Sequence, residues 1–357
     1  MKQTVRNITL FISLLLALAC SKDDTGTDTP DALYFPPLTG TTWESQSLAS
    51  LGWNESAVQP LLNFLEEKNS KSFMILVNGR IVLEKYFDGH TAATTWKWNS
   101  AGKTLVAAAT GIAQQEGLLN INTPVSTYIG AGWTSAPADK EQLITPRHLI
   151  TMTSGLNDAS ELVIKSNLTY LADAGTRWSY HNVFQKQMDV VAAVSGKTFD
   201  DYVKEKIGDR IGMDGFWAKG PIFTIYNSTT RGMARFGLLA MNQGNWNGTQ
   251  VVPADFFRES VNSSQTINPS YGYLWWLNGK SSYMLPSDQA VFPGTLIPNA
   301  PAEMYAAMGA ADQRIYVVPS QKLVIVRMGE ASDVRNPDFA VSGFDDALWE
   351  KINAVIK

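Results

Sequence analysis

Residues 99–106 read NSAGKTLV, and two chemistries compete for them. Gly102, Lys103 and Thr104 match the end of a phosphate-binding P-loop, in which a glycine-rich backbone wraps phosphate oxygens. That loop needs a second glycine five residues earlier, where this chain has Lys97, and a buried strand before it, where this chain has TAATTWKWN. The phosphate reading fails. Ser100 and Lys103 instead form Ser-x-x-Lys, a hydroxyl nucleophile with an amine nearby. SAGKTLVAAATGIAQQEG reads as a helix with apolar Leu105, Val106, Ala109 and Ile112, and Ser100 falls in its first turn. Three residues make about one turn, so Lys103 projects beside Ser100. An amine sunk against an apolar helix loses basicity and is available in the neutral form that a base requires. The helix dipole favours negative charge on an oxygen reacting at its start. Chance alone places about one Ser-x-x-Lys in a chain of this size, so its companions matter.

Tyr180-His181-Asn182, after GTRWS, is the only Tyr-x-Asn in the sequence and opens a predicted helix. A tyrosine there can pass protons between Ser100 and a leaving group, and Asn182 can hold Lys103 and a substrate amide. Taken alone, the same residues also serve as a helix cap and a core tyrosine. In YAAMGAADQRIYVVP, Gly309 lies near a strand edge, where an N–H can help bind an oxyanion; a tightly packed strand explains the small residues equally well. His90, His148 and His181 are far apart and lack His-Glu-x-x-His spacing, so no metal or other cofactor is expected. No Gly-x-Ser-x-Gly elbow exists. The eleven tryptophans are expected mostly in the core or along a groove wall.

Elements must hold these residues. SFMILVNGRIVLEKYF is apolar on both sides of Asn78-Gly79, a strong hairpin signal. Strand-like runs then vanish for about 180 residues. Helix signals fill that gap: Thr145-Pro146 before RHLITM, Asn182 to Val194, Thr198 with Asp201 before YVKEKI, and Thr230 before RGMARFGLLAMNQG. Strands return at YGYLWWL, QRIYVVP and LVIVRMG, and FDDALWEKINAVIK closes the chain as an amphipathic helix. The expected fold is α/β in the α+β sense: an antiparallel sheet built from both chain ends and flanked by helices. A mostly helical subdomain, about residues 115–255, is inserted in it, with a groove between the two parts.

The net charge of −4 and a pI near 5.5, without basic blocks, argue against nucleic acid. Residues 1–20 carry Lys2 and Arg6 before an apolar run, Ile8 to Ala19, too short to span a bilayer. The run ends in Ala17-Leu18-Ala19-Cys20, which resembles a bacterial lipoprotein cleavage site, with Cys20 the lipidation point. Cys20 is the only cysteine, so no internal disulfide forms. Residues 21–40, polar and rich in Asp, Thr, Gly and Pro, are expected to be a flexible tether, leaving 41–357 as the catalytic domain. SKDD at the tether's start resembles the surface-export signal of some Gram-negative lipoproteins. The expected location is the envelope of a Gram-negative bacterium, with the membrane contacted through an N-terminal lipid.

The chain resembles the serine β-lactamase-related superfamily: class C β-lactamases, penicillin-binding DD-peptidases, and esterase and 6-aminohexanoate-oligomer hydrolase relatives. The matching stretches, in family order from about residue 70 to the end, are WNSAGKTLVAAATGIAQQEGLLNINTPVSTYI, ITPRHLITMTSGL, WSYHNVFQKQMDVV, RGMARFGLLAMNQG, YGYLWWL and DQRIYVVPSQKLVIVRMG. The resemblance places Ser100, Lys103, Tyr180 and Asn182 in the first and second motifs. It implies a hydrolase acting through an acyl-enzyme on Ser100, with the N–H groups of Ser100 and Ala310 holding the oxyanion. The third motif departs: Ala307-Met308-Gly309 stands where Lys-Thr-Gly or His-Thr-Gly grips a substrate carboxylate. That departure is closer to the esterase and amidase branch, so the expected partner is a small ester or amide. The alternatives are a β-lactamase or DD-peptidase proper, an acylated receptor that never turns over, and a surface glycan-binding protein.

Overall fold

Continuous apolar runs make strands that are covered on both faces, and this chain has several. The computed structural model describes residues 33–220, 222–333, 335 and 341–356. Its central sheet contains β1 (Ser70–Val77), β2 (Arg80–Tyr86), β3 (Trp276–Leu277), β4 (Tyr305–Gly309), β5 (Gln313–Val318) and β6 (Leu323–Gly329). They run antiparallel in the order β2-β1-β6-β5-β4-β3, so a strand from each end of the chain meets its partner at the centre. Asn78 and Gly79 turn β1 into β2 with φ of 51° and 79°, the left-handed pair that a two-residue hairpin requires.

The helices that frame the sheet are α1 (Val58–Glu67), α2 (Lys103–Gln115), α3 (Gln185–Ser195), α4 (Thr230–Met241) and α5 (Phe344–Ile356). Helix α5 packs on α1, where Phe64 stacks on Phe344 at 5.8 Å, and on β5, where Trp349 meets Tyr316 edge-on at 5.6 Å. Helix α4 covers the opposite face. A Cβ on its Gly237 would lie 2.5 Å from Val324 Cγ1 and 2.9 Å from Ile315 Cγ2, so the missing side chain lets the helix close on β5 and β6. Residues from Leu33 onward form one compact unit.

Four details differ from expectation. The middle of the chain also holds a small three-stranded sheet (Trp96–Lys97, Thr224–Ser228, Phe216–Lys219) and a two-stranded one (Asn245–Trp246, Thr249–Gln250). Most of these strands are only two residues long, too short to show a period. In YGYLWWL only Trp276 and Leu277 enter the sheet. Leu274 sits at φ 61° and Tyr271 bridges back to Trp276, so the aromatic run is a folded loop. Thr229, not Thr230, caps α4 by accepting from the Gly232 N–H at 3.0 Å, while buried Thr230 donates to Ser72 Oγ at 2.6 Å. The described part of the expected tether is docked: Tyr34 N–H donates to Asn78 O at 2.9 Å, and Phe35 packs edge-on to Trp246 at 5.0 Å. Residues 33–38 are apolar, unlike the average of 21–40, and Arg235 Nη2 also donates to the Pro37 carbonyl at 2.7 Å. Cys20, the expected leader and residues 21–32 lie outside the described residues. No helix among the described residues is long and apolar enough to cross a membrane.

Candidate active site

Ser100 lies in a 3-10 turn, Asn99–Gly102, that runs directly into α2. Every residue of α2 from Lys103 to Ala113 is buried, which fixes the helix start and the turn before it. Lys103 Nζ lies 2.6 Å from Ser100 Oγ, as one-turn spacing requires. The amine is 3% exposed and sits between two rings, 4.6 Å from the Tyr180 centroid and 4.5 Å from that of Phe184. Burial lowers its pKa to about 7, against the pull of the Glu161 carboxylate, which favours the proton.

The Tyr180 hydroxyl interacts with the side chains of Ser100 and Trp276. Burial raises its pKa above the ordinary phenol value; those two side chains and the charge of Arg314 oppose the rise, and Glu161 adds to it. Trp276 packs 5.6 Å from its ring, within a cluster that includes Trp178 and Tyr271. Asn182 begins the 3-10 turn that leads into α3. Its Nδ2 donates to the Glu161 carboxylate and, at 3.3 Å, to the Glu161 carbonyl. Among the described residues no hydrogen bond joins Asn182 to Lys103, so its link to the amine runs through the charge on Glu161.

From the other side, β4 brings Gly309 against the turn that carries Ser100. A Cβ there would fall 2.9 Å from Ser100 N, 2.8 Å from Ala101 N and 2.5 Å from Trp98 O; only glycine fits. Ala310 follows at the tip of the β4–β5 hairpin, its carbonyl held by Asn99 Nδ2 at 2.7 Å. The Ser100 N–H occupies a first helical turn, where intrahelical acceptors do not exist. The backbone of Gly309 and Ala310 therefore lies against the turn that carries the Ser100 N–H.

The residues in the third-motif position offer no cation. Ala307 and Met308 are buried. Arg314 is wholly buried too and is spent on protein groups: Asp345 Oδ1 at 2.5 Å and Oδ2 at 3.0 Å, Asp312 Oδ1 at 2.9 Å, and the Gly309 carbonyl at 2.8 Å. Among the described residues, no group of three or more His, Cys, Asp or Glu is placed to hold a metal ion. His148 Nδ1 instead accepts from the Thr145 N–H at 3.1 Å and helps cap its own short helix.

Four contributors escape sequence reasoning as site residues: Asn99, Glu161, Phe184 and Trp276. Phe184 ends the 3-10 turn Asn182–Phe184, while Tyr180 lies before it next to extended His181, so no helical period links the two rings that meet Lys103. Glu161 lies in an irregular loop and carries no signal.

The model of the family described as Beta-lactamase matches residues 65–333. The chain belongs to the Beta-lactamase family. An uncharacterized protein of Alkalihalophilus pseudofirmus is 25% identical over 303 residues, covering 74% of this chain and 84% of that protein. A putative 6-aminohexanoate-dimer hydrolase from Bacillus anthracis has a similar structure, with a TM-score of 0.67 at 19% identity, covering 90% of this chain and 88% of that one. A family VIII carboxylesterase has a TM-score of 0.62 at 16% identity, covering 83% and 96%. At such identities the structures show a shared fold, an antiparallel sheet flanked by helices. Membership in the Beta-lactamase family supports a hydrolase of the acyl-enzyme type acting on a small molecule.

Proposed function

We propose that this Beta-lactamase-family protein is an esterase or amidase whose nucleophile is Ser100. The observation that carries the reading is Lys103 Nζ at 2.6 Å from Ser100 Oγ, on an amine that burial brings to a pKa of about 7. Near neutral pH a large fraction of Lys103 is uncharged and accepts the Ser100 proton as Oγ attacks the carbonyl. Tyr180, whose pKa is raised, stays a phenol at that pH and suits a relay between Ser100 and the leaving group rather than a standing anion. The N–H groups of Ser100 and Ala310 stabilise the oxyanion. Collapse expels the alcohol or amine with a proton, and water releases the acyl group by the reverse transfers. Asn182 orients Glu161, the carboxylate whose charge reaches both Lys103 and Tyr180.

Charge decides the substrate class. Carboxylate-bearing substrates find no free cation at Ala307-Met308-Gly309, and the negative charge of Glu161 opposes them. A lost charge-assisted hydrogen bond costs roughly 1.5–3 kcal/mol, about ten- to a hundredfold in discrimination. Neutral esters and amides lose nothing. The fold shared with a carboxylesterase and a putative 6-aminohexanoate-dimer hydrolase accords with this choice. We therefore expect turnover of p-nitrophenyl acetate or butyrate, with kcat/KM for nitrocefin at least about a hundredfold lower. Ser100→Ala should lose both turnover and fluorophosphonate labelling, by several orders of magnitude. Labelling that persists in that variant sinks the nucleophile, and nitrocefin turnover matching the ester rate makes the protein a β-lactamase instead.

The proposal extends to location: Cys20 carries the lipid that holds the enzyme in the envelope of a Gram-negative bacterium. Cys20→Ala should move the protein from the membrane fraction to the soluble one, or leave an uncleaved precursor. An unchanged membrane fraction counts against a lipid anchor.

A further inference from the structure

The hairpin tip beside Ser100 is held in an unusual way. Four consecutive carbonyls, 309 to 312, each accept a hydrogen bond from a side chain. Arg314 Nη1 donates to Gly309 O at 2.8 Å, and Asn99 Nδ2 to Ala310 O at 2.7 Å. Arg327 Nη1 donates to Ala311 O at 2.8 Å and to Asp312 O at 3.1 Å, and Gln313 Nε2 adds a bond to Ala311 O at 2.9 Å. Ala311 and Asp312 sit at φ 56° and 57°, a region that residues with a Cβ enter at a cost. The surrounding side chains hold the tip in a shape it would not keep by itself.

Peptide planarity gives the clamp a direction. The Gly309 carbonyl and the Ala310 N–H belong to one trans peptide and point opposite ways. Drawing the carbonyl toward buried Arg314 turns the N–H away from that interior. The next peptide is held by Asn99, which is the chain neighbour of Ser100 and lies at φ 49°, a conformation asparagine tolerates well. One side chain thus ties the wall that carries the Ser100 N–H to the wall that carries the Ala310 N–H.

We propose that Asn99 is a positioning residue that sets the spacing of the two oxyanion donors, through its bond to the Ala310 carbonyl. This rests on the reading of Ser100 as nucleophile. It also explains how the site keeps its oxyanion wall without the usual third-motif side chains: the hairpin is anchored from outside the substrate space.

The test uses the full chain and two variants. Asn99→Gly keeps the left-handed backbone accessible and removes the donor; Asn99→Asp keeps the size but turns an acceptor toward the Ala310 carbonyl. With p-nitrophenyl acetate, both should lower kcat by about ten- to a hundredfold, short of the loss when an oxyanion donor is removed outright, with KM within about twofold. Phenylboronic acid forms a tetrahedral adduct with the serine that places an oxygen between the same N–H groups, so its inhibition constant should rise by a similar factor. Wild-type kcat in Asn99→Gly overturns the proposal. So does a fall in kcat matched by loss of folded protein, with boronate affinity unchanged in the folded fraction. Ser100→Ala, run alongside, separates the two ideas: if it retains turnover, the nucleophile reading fails; if it is inactive while Asn99→Gly is unimpaired, only the positioning role fails.

Discussion

An amine held between two aromatic rings and nearly sealed from water is costly to protonate, and its neighbours settle where the balance falls. For Lys103 burial dominates and removes the proton, while the Glu161 carboxylate partly restores it. With the neutral amine as base in the proposed mechanism, kcat/KM for a neutral ester should rise with pH through about 7 and then level off. Glu161→Gln deletes the charge that favours the protonated form, so the acid limb should move to lower pH. A pH–rate profile of both proteins on p-nitrophenyl butyrate checks this. A limb that stays put, or moves up, means that Glu161 does not govern the titrating group. At this scale the sequence was informative where spacing is local. Ser100 and Lys103 are one turn apart, and Tyr180 is marked by its unique Tyr-x-Asn. Asn99 stands beside Ser100 yet carries no local signal, because its partner, the Ala310 carbonyl, is a backbone atom 211 residues away. Glu161 reaches the site through a loop whose path no periodicity encodes.

Elements position these residues by close approach, and glycine sets two of the approaches. Gly309 lets β4 touch the turn that carries Ser100, and Gly237 lets α4 lie on the sheet. At Gly237 a methyl group would meet Val324 Cγ1 at 2.5 Å and Ile315 Cγ2 at 2.9 Å, both on buried strands with little room to yield. Gly237→Ala gains helix propensity, worth about 1 kcal/mol, yet must push the helix off the sheet, where overpacking costs about 1–3 kcal/mol. The clash should win, so a thermal melt should show Tm lowered by a few degrees, with the ester KM unchanged. A raised Tm would mean that the helix had room to spare. The strands that bury both faces, β1, β5 and β6, were legible as continuous apolar runs. YGYLWWL reads as a strand but folds as a loop, because aromatic residues packed in a loop have the same composition as a strand. Thr229 and Thr230 compete for one cap, and a buried bond to Ser72 removes Thr230 from the contest.

The whole molecule closes at its two ends, since β1 pairs with β6 along Val77↔Leu323 to Ser70↔Gly329. This closure was foreseen from the order of strand and helix signals. The pair of arginines it buries was not, because QRIYVV and LVIVRMG read as plain strands with one stray charge each. Arg314 and Arg327 lie opposite each other on β5 and β6; Asp312 and Asp345 pair with Arg314, while Arg327 donates to the carbonyls of Ala311, Lys68 and Glu330. Asp345 comes from the first turn of α5, so the last helix completes both the core and the clamp behind Gly309. That helix also buries Phe344, Leu348, Trp349, Ile352 and Val355. At about 1.5–3 kcal/mol for each buried side chain, their loss approaches the whole stability of an ordinary domain, about 5–15 kcal/mol. It also leaves Arg314 charged, buried and without its main partner, which costs about 3–5 kcal/mol more. A chain ending at Ser342 should therefore show no cooperative unfolding transition by circular dichroism and no ester turnover. Asp345→Asn, which keeps the helix but weakens the ion pair, should fold with a lowered Tm. A truncated chain that melts cooperatively within a few degrees of the full protein would show that the sheet stands without its closing helix, and the Arg314 clamp would then need another anchor.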